Sequence, residues 1–301
     1  MPIPKLNTKK VQLAKIFKQS GLNALLAQLR NSITSTHARV INYHDMSSNM
    51  IDNFETQLKY YHSHFVNIGR AELDDLLIGK WKSDRPGIII TFDDGFRSHA
   101  EYAAPLLEKY GFTGWFFLPT QFVDTPVKQQ WDFAAEHDII PYGSDFENDR
   151  IAISWEQVSA LESQGHIIGC HTWNHQRLGA ELSEKKLIKE IVKSKAFLEA
   201  KVGHEVDIFC WVGGEENAYS RDAATLIRKA GYHLSFMTNH LPIRPGNNPF
   251  QLQRTNIEAY YPMEVVEFQL SGFLDMVRTP KRVRVNRLTC LLYTSPSPRD
   301  S

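Results

Sequence analysis

The alternation of short apolar runs with helical segments is the feature that most constrains how this chain folds. Seven apolar runs predict strands at 39–43, 87–92, 114–118, 166–170, 207–211, 233–237 and 252–257. Helices are predicted at 52–65, 99–110, 155–164, 183–201, 220–230 and 262–270. Strands that alternate with helices favour a parallel sheet, and seven strands fit an incomplete α/β barrel.

Composition agrees with one barrel domain and short extensions. The chain has 301 residues, of which 42% are hydrophobic, and Lys+Arg and Asp+Glu balance at 34 each. This balance gives no indication of binding to nucleic acid or to an anionic membrane. Of the three cysteines, Cys170 and Cys210 lie in predicted buried strands, which argues against a disulfide framework. No stretch approaches the roughly 20 apolar residues of a transmembrane segment.

Two adjacent carboxylates end the second predicted strand. The apolar run 87–90 leads directly into the sequence TFDDG at 91–95. Burying the neighbouring charges of Asp93 and Asp94 is unfavourable unless something compensates them. A bound cation would hold one carboxylate as a ligand and keep the other ionised as a base. The alternative is an ordinary Asp-Gly turn, and this segment alone does not decide between them.

Two histidines follow the fourth predicted strand, which covers 166–170. His171 and His175 are four residues apart, so they would share a face if the chain turned helically after the strand. This spacing is weak alone. However, both the acidic pair and the histidine pair begin at the carboxyl ends of strands, where parallel α/β folds place their sites. One carboxylate with two histidines is a recognised catalytic metal arrangement, suited to zinc and its first-row neighbours.

These segments resemble the polysaccharide deacetylases of the NodB-homology type, also called carbohydrate esterase family 4. The family's TFDDG sequence is unaltered at 91–95, and its second conserved stretch corresponds to 170–175, with Cys170 in place of the usual Ser or Thr. The resemblance implies a distorted, incomplete (β/α)7 barrel. It also implies one divalent metal ion, for which zinc is expected and cobalt, nickel or iron are alternatives. By position in these segments, Asp94, His171 and His175 correspond to the metal ligands and Asp93 to the general base.

The order of the segments resembles a circularly permuted branch of this family, similar to the poly-N-acetylglucosamine deacetylases. The predicted strand 38–44 ends in His44, upstream of the carboxylate pair, and in that branch such a histidine supplies the acid. The segment 53–60 resembles a helix of the same branch. The resemblance extends from about residue 39 to about residue 258.

The implied reaction is the removal of an acetyl group, most simply an N-acetyl group, from a sugar or polysaccharide. Amide hydrolysis needs a nucleophile, an oxyanion stabiliser and a proton for the leaving amine. Metal-bound water would be the nucleophile, Asp93 would take its proton, and a protonated His44 would give one to the amine. Base and acid need opposite protonation states, so a bell-shaped pH profile is expected.

Three further residues are candidates for binding or supporting the substrate. Trp211 follows a strand in the region where the sequence departs from the family, and it is either a platform for a sugar ring or part of the wall packing. Arg254, in a Leu-x-Arg context, is expected either to pair with Asp93 or to form a surface salt bridge. His240 follows a strand end and is the remaining histidine expected near the pocket. The long segment 120–150 is predicted to be a loop that shapes the substrate groove.

The predicted domains are an N-terminal amphipathic helical extension at 1–36, a catalytic domain at 37–289 and a suspected sequencing-adapter artefact at 290–301. The basic stripe of 1–36 fits a membrane surface or a partner, but packing on its own domain is favoured. No signal peptide is seen, so the sequence predicts a cytoplasmic protein with peripheral membrane association as an alternative. That location suggests an acetylated sugar substrate linked to a lipid or a nucleotide.

Two other functions remain open at this point. A metal-dependent amidohydrolase acting on a non-sugar amide would use the same ligands and base. A catalytically inactive carbohydrate-binding relative would keep only the fold. The joint presence of Asp93, Asp94, His171, His175 and His44 argues against the inactive relative, since drift would spare few of them.

Overall fold

The fold is an α/β barrel, seen in a computed structural model that describes residues 6–23, 25–26, 36–143 and 145–290. The strands are β1 Ala38–Tyr43, β2 Val66–Asn67, β3 Gly87–Phe92, β4 Gly114–Leu118, β5 Ile167–Cys170, β6 Ile208–Cys210, β7 Leu234–Met237, β8 Leu252–Gln253 and β9 Thr255–Asn256. The α-helices are α1 Thr8–Gln19, α2 Ile51–His64, α3 Arg70–Leu77, α4 Ala104–Lys109, α5 Thr120–Asp124, α6 Gln130–Glu136, α7 Trp155–Ser163, α8 Glu184–Leu187, α9 Ser194–Val202, α10 Arg221–Lys229, α11 Met263–Leu270, α12 Phe273–Val277 and α13 Thr279–Thr289. Single π-helical segments at His99–Ala103 and Ile188–Lys193 lead into α4 and α9.

The sheet follows the order β8-β7-β6-β5-β4-β3-β1-β9, and its paired strands are parallel. Strands β8 and β9 are two halves of one extended segment that is interrupted at Arg254. The first half pairs with β7 and the second with β1, so this segment nearly closes the sheet into a barrel. The predicted distorted (β/α)7 barrel is therefore confirmed, and its seventh wall position is divided between two partners.

Alternate residues of each strand face the interior of the barrel, as the two-residue period of a strand requires. The interior cluster includes Val40, Ile89, Phe117, Phe236 and Leu252. The intervening residues, such as Ile41, Ile90 and Phe116, pack outward in the larger core beneath the helices. Apolar side chains thus fill the barrel, and the next inward positions at the carboxyl ends of the strands are left for the site.

The N-terminal helix α1 packs on the barrel domain. Phe17 lies edge-on against Phe268 and Phe273, with ring centroids 5.0 and 4.9 Å apart, and Lys18 forms an ion pair with Glu267. Helix α1 therefore packs on its own domain, which is the arrangement favoured from the sequence over a membrane surface or a partner. The remainder of the predicted extension at 27–35 lies outside the described residues, as do 291–301 of the suspected artefact.

The segment 120–150 was expected to be one long loop, and this expectation is wrong. Helices α5 and α6 occupy much of it and enclose a small core that includes Phe96, Phe122 and Ala134. The side chain of Gln130 holds this core together, since it donates to the carbonyl of Thr125 and accepts from the amides of Ile151 and Ala152. The buried side-chain amide of Gln130 thus satisfies backbone groups that would otherwise lack hydrogen-bond partners. It stabilises short helices in a segment whose hydrophobic periodicity is weak.

No helix among the described residues is long and apolar enough to cross a membrane. Cys170 and Cys210 are buried free thiols, in agreement with the expected absence of a disulfide framework among them.

Packing of α1 is testable with two adjacent residues. Phe17 is 7% exposed and Ile16 is 59% exposed. Phe17→Ala should lower the free energy of unfolding by about 3 kcal/mol, because it removes a buried aromatic ring and leaves a cavity. Ile16→Ala is the matched control and should change it by less than about 0.5 kcal/mol. Urea unfolding followed by circular dichroism measures both, and equal effects would show that α1 does not pack as described.

Candidate active site and metal centre

The candidate site lies in a cavity of about 410 Å³ at the carboxyl ends of the barrel strands. Its lining continues the inward-facing positions of the strands: Asn42 lies near the end of β1, His44 follows β1, Asp93 follows β3, His171 follows β5, Thr238 follows β7, and Arg254, Asn256 and Glu258 lie along the closing segment. The same two-residue period that fills the barrel with apolar side chains therefore aims these polar side chains at one point.

Asp93 is held by Arg254. Two parallel hydrogen bonds join Arg254 Nη1 to Asp93 Oδ1 at 2.6 Å and Arg254 Nη2 to Asp93 Oδ2 at 2.8 Å. Arg254 is 1% exposed, so the surface salt bridge considered from the sequence is excluded. Burial raises the pKa of Asp93, but the charge of Arg254 outweighs it and holds that pKa below its usual value. Asp93 is therefore ionised at neutral pH.

Asp94, His171 and His175 bring their ligand atoms together. The Nε2 atoms of His171 and His175 lie 3.6 and 3.1 Å from Asp94 Oδ1, and the ligand atoms of all three residues lie within 4.8 Å of one another. The opposite ring nitrogens meet backbone carbonyls, since His171 Nδ1 is 2.9 Å from Cys210 O and His175 Nδ1 is 2.7 Å from His137 O. A ring N–H that donates to a carbonyl leaves Nε2 with its lone pair directed at the cavity.

This arrangement fits a divalent cation. Asp94 Oδ1 is buried and receives no hydrogen bond from the described residues, although two imidazole nitrogens face it. Burial lowers the pKa of His171 to about 4, so this ring is neutral. Burial also lowers the pKa of His175, but the neighbouring Asp94 raises it, and the net shift is upward. A proton on His175 would compensate Asp94 only at the contact between these two residues. A cation serves all three ligand atoms at once, and the donor set of two imidazoles and a carboxylate suits zinc.

The histidines meet in a way that the sequence did not predict. Residues 173–175 form a bend, not the helical turn under which the two histidines would share a face. Thr172 and His175 adopt positive φ angles of 68° and 56°, which turn the chain back and bring the second histidine beside the first. Glu190 supports the turn, because its Oε2 accepts hydrogen bonds from the amides of Trp173 at 3.0 Å and Asn174 at 2.8 Å. Asp94 also has a positive φ of 73°, and strained residues of this kind cluster at functional sites.

His44 lies between two carboxylates, Glu258 and Asp93. Its Nδ1 is 2.7 Å from Glu258 Oε1, and its Nε2 is 4.0 Å from Asp93 Oδ2. The side chain is 31% exposed, so a ligand in the cavity can reach it. Burial lowers the pKa of His44, but the charge and hydrogen bond of Glu258, with Asp94 and Asp93, raise it to about 10. His44 is therefore a proton donor at neutral pH.

Glu258 is the site residue that sequence reasoning missed. Helix α2 holds it in place, because Gln57 Nε2 donates to the carbonyls of Glu258 and Tyr261 at 3.1 and 2.9 Å. Asn53 Nδ2 donates to the carbonyls of Ala259 and Tyr261 at 2.5 and 2.9 Å. The signal was available in the period of the closing strand, since Glu258 lies two inward positions beyond Arg254.

Of the two remaining candidates for substrate binding, Trp211 is buried in the barrel wall and His240 lines the cavity. Trp211 is 1% exposed, packs against Phe209 and Tyr219, and donates its indole N–H to Ser235 Oγ at 2.6 Å. The sugar platform considered for Trp211 is therefore wrong, and its wall-packing alternative is correct, because this position faces outward from the strand. His240 is 7% exposed and lines the cavity.

The partnership of His44 and Glu258 makes a prediction about proton affinity. Glu258→Gln removes the charge that raises the pKa of His44, so this pKa should fall from about 10 by at least about 1 unit. NMR titration of the imidazole measures it, with the His44 signal assigned by its loss in His44→Gln. Glu264→Gln on helix α11 is the control and should leave the value unchanged. An unaltered pKa in Glu258→Gln would show that Glu258 does not hold the proton on His44.

Similarity to known proteins agrees with this geometry. Residues 80–235 match the sequence model of the family described as polysaccharide deacetylase. The chain is 22% identical over 243 residues to YxkH of Bacillus subtilis (strain 168), whose name assigns it to the polysaccharide deacetylases, and the match covers 79% of this chain and 77% of that protein. It is also 22% identical over 176 residues to poly-beta-1,6-N-acetyl-D-glucosamine N-deacetylase of Escherichia coli (strain K12), covering 50% of this chain and 24% of that protein.

Solved structures share the fold. The Streptococcus pyogenes deacetylase PplD in complex with acetate has a TM-score of 0.61 at 17% identity, covering 78% of this chain and 98% of that one. IcaB from Ammonifex degensii has a TM-score of 0.60 at 21% identity, covering 79% and 97%. The family match spans more than half of the chain, and the chain therefore belongs to the polysaccharide deacetylase family, whose members are hydrolases.

Proposed function

We propose that this protein is a metal-dependent deacetylase that removes the N-acetyl group of an acetylated sugar or glycan. The convergence of a three-residue ligand set, an ionised carboxylate and a protonated histidine on one cavity carries the proposal. The name of the Escherichia coli relative makes N-acetylglucosamine polymers the first substrates to test.

Asp94, His171 and His175 are the proposed metal ligands, and zinc is the proposed metal. A bound divalent cation supplies Lewis acidity, which polarises a carbonyl oxygen and lowers the pKa of water. Backbone carbonyls of Cys210 and His137 fix the two imidazole rings, so the ligands are preorganised for this role.

Asp93 is the proposed general base. Its two oxygens each accept one hydrogen bond from Arg254, and Oδ1 also accepts one from the thiol of Cys210, so Oδ2 is the oxygen that keeps a lone pair for a proton. During hydrolysis a water oxygen would bond to the acetyl carbonyl carbon while its proton passes to Asp93. Arg254 keeps the pKa of Asp93 low, which favours the ionised base at the start of the reaction, and it holds the carboxylate in one orientation.

His44 is the proposed general acid. The amide C–N bond breaks as the nitrogen takes a proton from His44 Nε2, which gives acetate and a free amine. Base and acid lie on the same side of the cavity, with 4.0 Å between Asp93 Oδ2 and His44 Nε2. Proton transfer to one and from the other therefore needs no large movement of either side chain.

The protonation states give the pH dependence a direction. Activity requires ionised Asp93 and protonated His44, so it rises as pH passes the lowered pKa of Asp93 and falls as pH passes that of His44. A bound cation would lower the pKa of His44 from its raised value of about 10, so kcat/KM should decline at or below pH 10. A pH–rate profile measures this, and activity that keeps rising to pH 11 would contradict His44 as the acid.

Release of acetate from N-acetylglucosamine oligomers tests the function directly. We expect release by the purified protein, its loss after dialysis against a chelator and its recovery on addition of zinc, because the ligand set requires a cation. Acetate release that persists in metal-free protein would refute metal dependence. Release from simple acyl amides but from no sugar would instead favour the non-sugar amidohydrolase.

Asp93→Asn separates the base from the ligand set. The substitution keeps the shape of the side chain but removes proton acceptance, so kcat/KM should fall by at least about 10³-fold while zinc stays bound. Zinc content by atomic absorption and acetate release measure the two effects, and the exposed control Asp132→Asn should change neither. An active Asp93→Asn protein would refute the base assignment, and loss of zinc would instead make Asp93 a ligand.

A further inference from the structure

One wall of the cavity carries two cations, Arg278 and Lys281, that form no ion pair with the described residues. Arg278, which precedes α13, and Lys281, in its first turn, both line the cavity. Neither side chain makes an ion pair with any residue in the described ranges. Arg278 lies close enough to Lys281, Lys10 and His240 to lower the pKa of each, although burial is the larger cause in all three. Like charges therefore gather at this wall.

The acidic residues nearest to this wall are engaged by other cations. Asp275 accepts two hydrogen bonds from Arg39, at 2.8 and 2.6 Å. Glu216 accepts two from Arg284, at 2.8 and 2.6 Å. These pairs leave neither carboxylate to Arg278 or Lys281.

Glu215 is engaged as well. Its Oε2 atom lies 3.5 Å from Nε of Arg177, and it acts on Lys281 through its charge alone, without an ion pair. Arg282, which is 8% exposed, also lacks a carboxylate partner, because its Nη1 donates to the backbone carbonyls of His240 and Asp275 at 2.7 and 3.0 Å. The wall therefore presents the side chains of Arg278 and Lys281 without a hydrogen-bonded carboxylate partner, although the charges of Glu215 and Glu216 act on Lys281.

His240 provides an independent indication of a ligand. It is 7% exposed and lines the cavity together with Arg278. Its Nδ1 is buried and has no hydrogen-bond partner among the described residues. The backbone is fixed, since its N–H donates to the carbonyl of Arg254 and its own carbonyl accepts from Arg282. A buried polar atom in a fixed residue is costly to leave without a partner.

We propose that Arg278, Lys281 and His240 form a subsite for the diphosphate of a diphosphate-linked acetylated sugar. An arginine fork and a lysine ammonium are usual phosphate ligands, and two cations without a hydrogen-bonded carboxylate suit the two negative charges of a diphosphate diester. The imidazole supplies a further hydrogen bond. This inference rests on the proposed function, because it places the acetyl group of the same molecule at Asp93 and His44.

Binding tests the subsite without relying on catalysis. In protein stripped of metal by dialysis, inorganic pyrophosphate and UDP-N-acetylglucosamine are titrated by calorimetry. The double variant Arg278→Gln/Lys281→Gln should weaken binding of both by at least about 10-fold, and Arg278→Lys/Lys281→Arg should retain it within about 3-fold. Arg287→Gln, an exposed cation on the same helix, is the matched control. Equal binding by the wild type and the Gln double variant would overturn the subsite, as would absence of binding to the wild type.

Activity then identifies the substrate. The ratio of kcat/KM for a diphosphate-linked sugar to that for a neutral N-acetylglucosamine oligomer should fall at least about 10-fold in the Gln double variant. UDP-N-acetylglucosamine and a polyprenyl-diphosphate-linked N-acetylglucosamine in detergent distinguish a nucleotide from a lipid carrier.

The two proposals fail in different ways. Deacetylation of the neutral oligomer alone would overturn the diphosphate subsite and leave the proposed function intact. Pyrophosphate binding that depends on Arg278 and Lys281, with no acetate released from any sugar, would support the subsite and count against the deacetylase.

Discussion

Two adjacent buried carboxylates, Asp93 and Asp94, set the charge requirement on which the mouth of the barrel depends. Each is 3% exposed, and a buried carboxylate is costly without compensation. Arg254 compensates Asp93 through a bidentate pair, whereas Asp94 Oδ1 faces the Nε2 atoms of His171 and His175. The neighbours thus acquire different environments: one is a fixed, ionised acceptor and the other is one member of a ligand set. Similar carboxylates with different partners can therefore take different chemical roles.

The barrel makes these contacts possible because its strands alternate inward and outward residues. Apolar inward residues such as Ile89, Phe117 and Phe236 form a floor of low dielectric constant beneath the charges. Attraction between Arg254 and Asp93 is stronger over such a floor than in water. The closing segment provides two of the charges that set the protonation states in the cavity. Arg254 holds the carboxylate of Asp93, and Glu258 is the largest of the charges that raise the pKa of His44. One segment therefore keeps the proposed base ionised and the proposed acid protonated, although the two side chains lie only 4.0 Å apart.

Sequence reasoning could find the strands, the barrel and the edge on which Asp93, Asp94, His171 and His175 meet, because each depends on local periodicity and on the rule for parallel sheets. It missed Glu258, which the two-residue period of the closing segment places inward, because the role of Glu258 depends on contacts distant in sequence: with His44, and with Asn53 and Gln57, which hold its loop. To predict which way Trp211 points, the strand must be placed in the sequence to within one residue, because a shift of one residue moves a side chain from the outer to the inner face of the barrel. The turn at 171–175 depends on positive φ angles at Thr172 and His175, and these residue types do not predict such angles. Helices α5 and α6 are short and stabilised by the buried Gln130, so their periodicity is weak.

The location of the metal tests the central claim most directly. The structure offers two groups of converging ligand atoms: Asp94 with His171 and His175, and Asp93 with His171 and Cys210. Crystals grown with zinc, with anomalous data collected on both sides of the zinc edge, would decide between them. We predict one anomalous peak about 2.0–2.2 Å from Asp94, His171 and His175, with Asp93 still paired to Arg254. A peak bound to Asp93 and Cys210 would contradict the assignment of base and ligand on which the account depends.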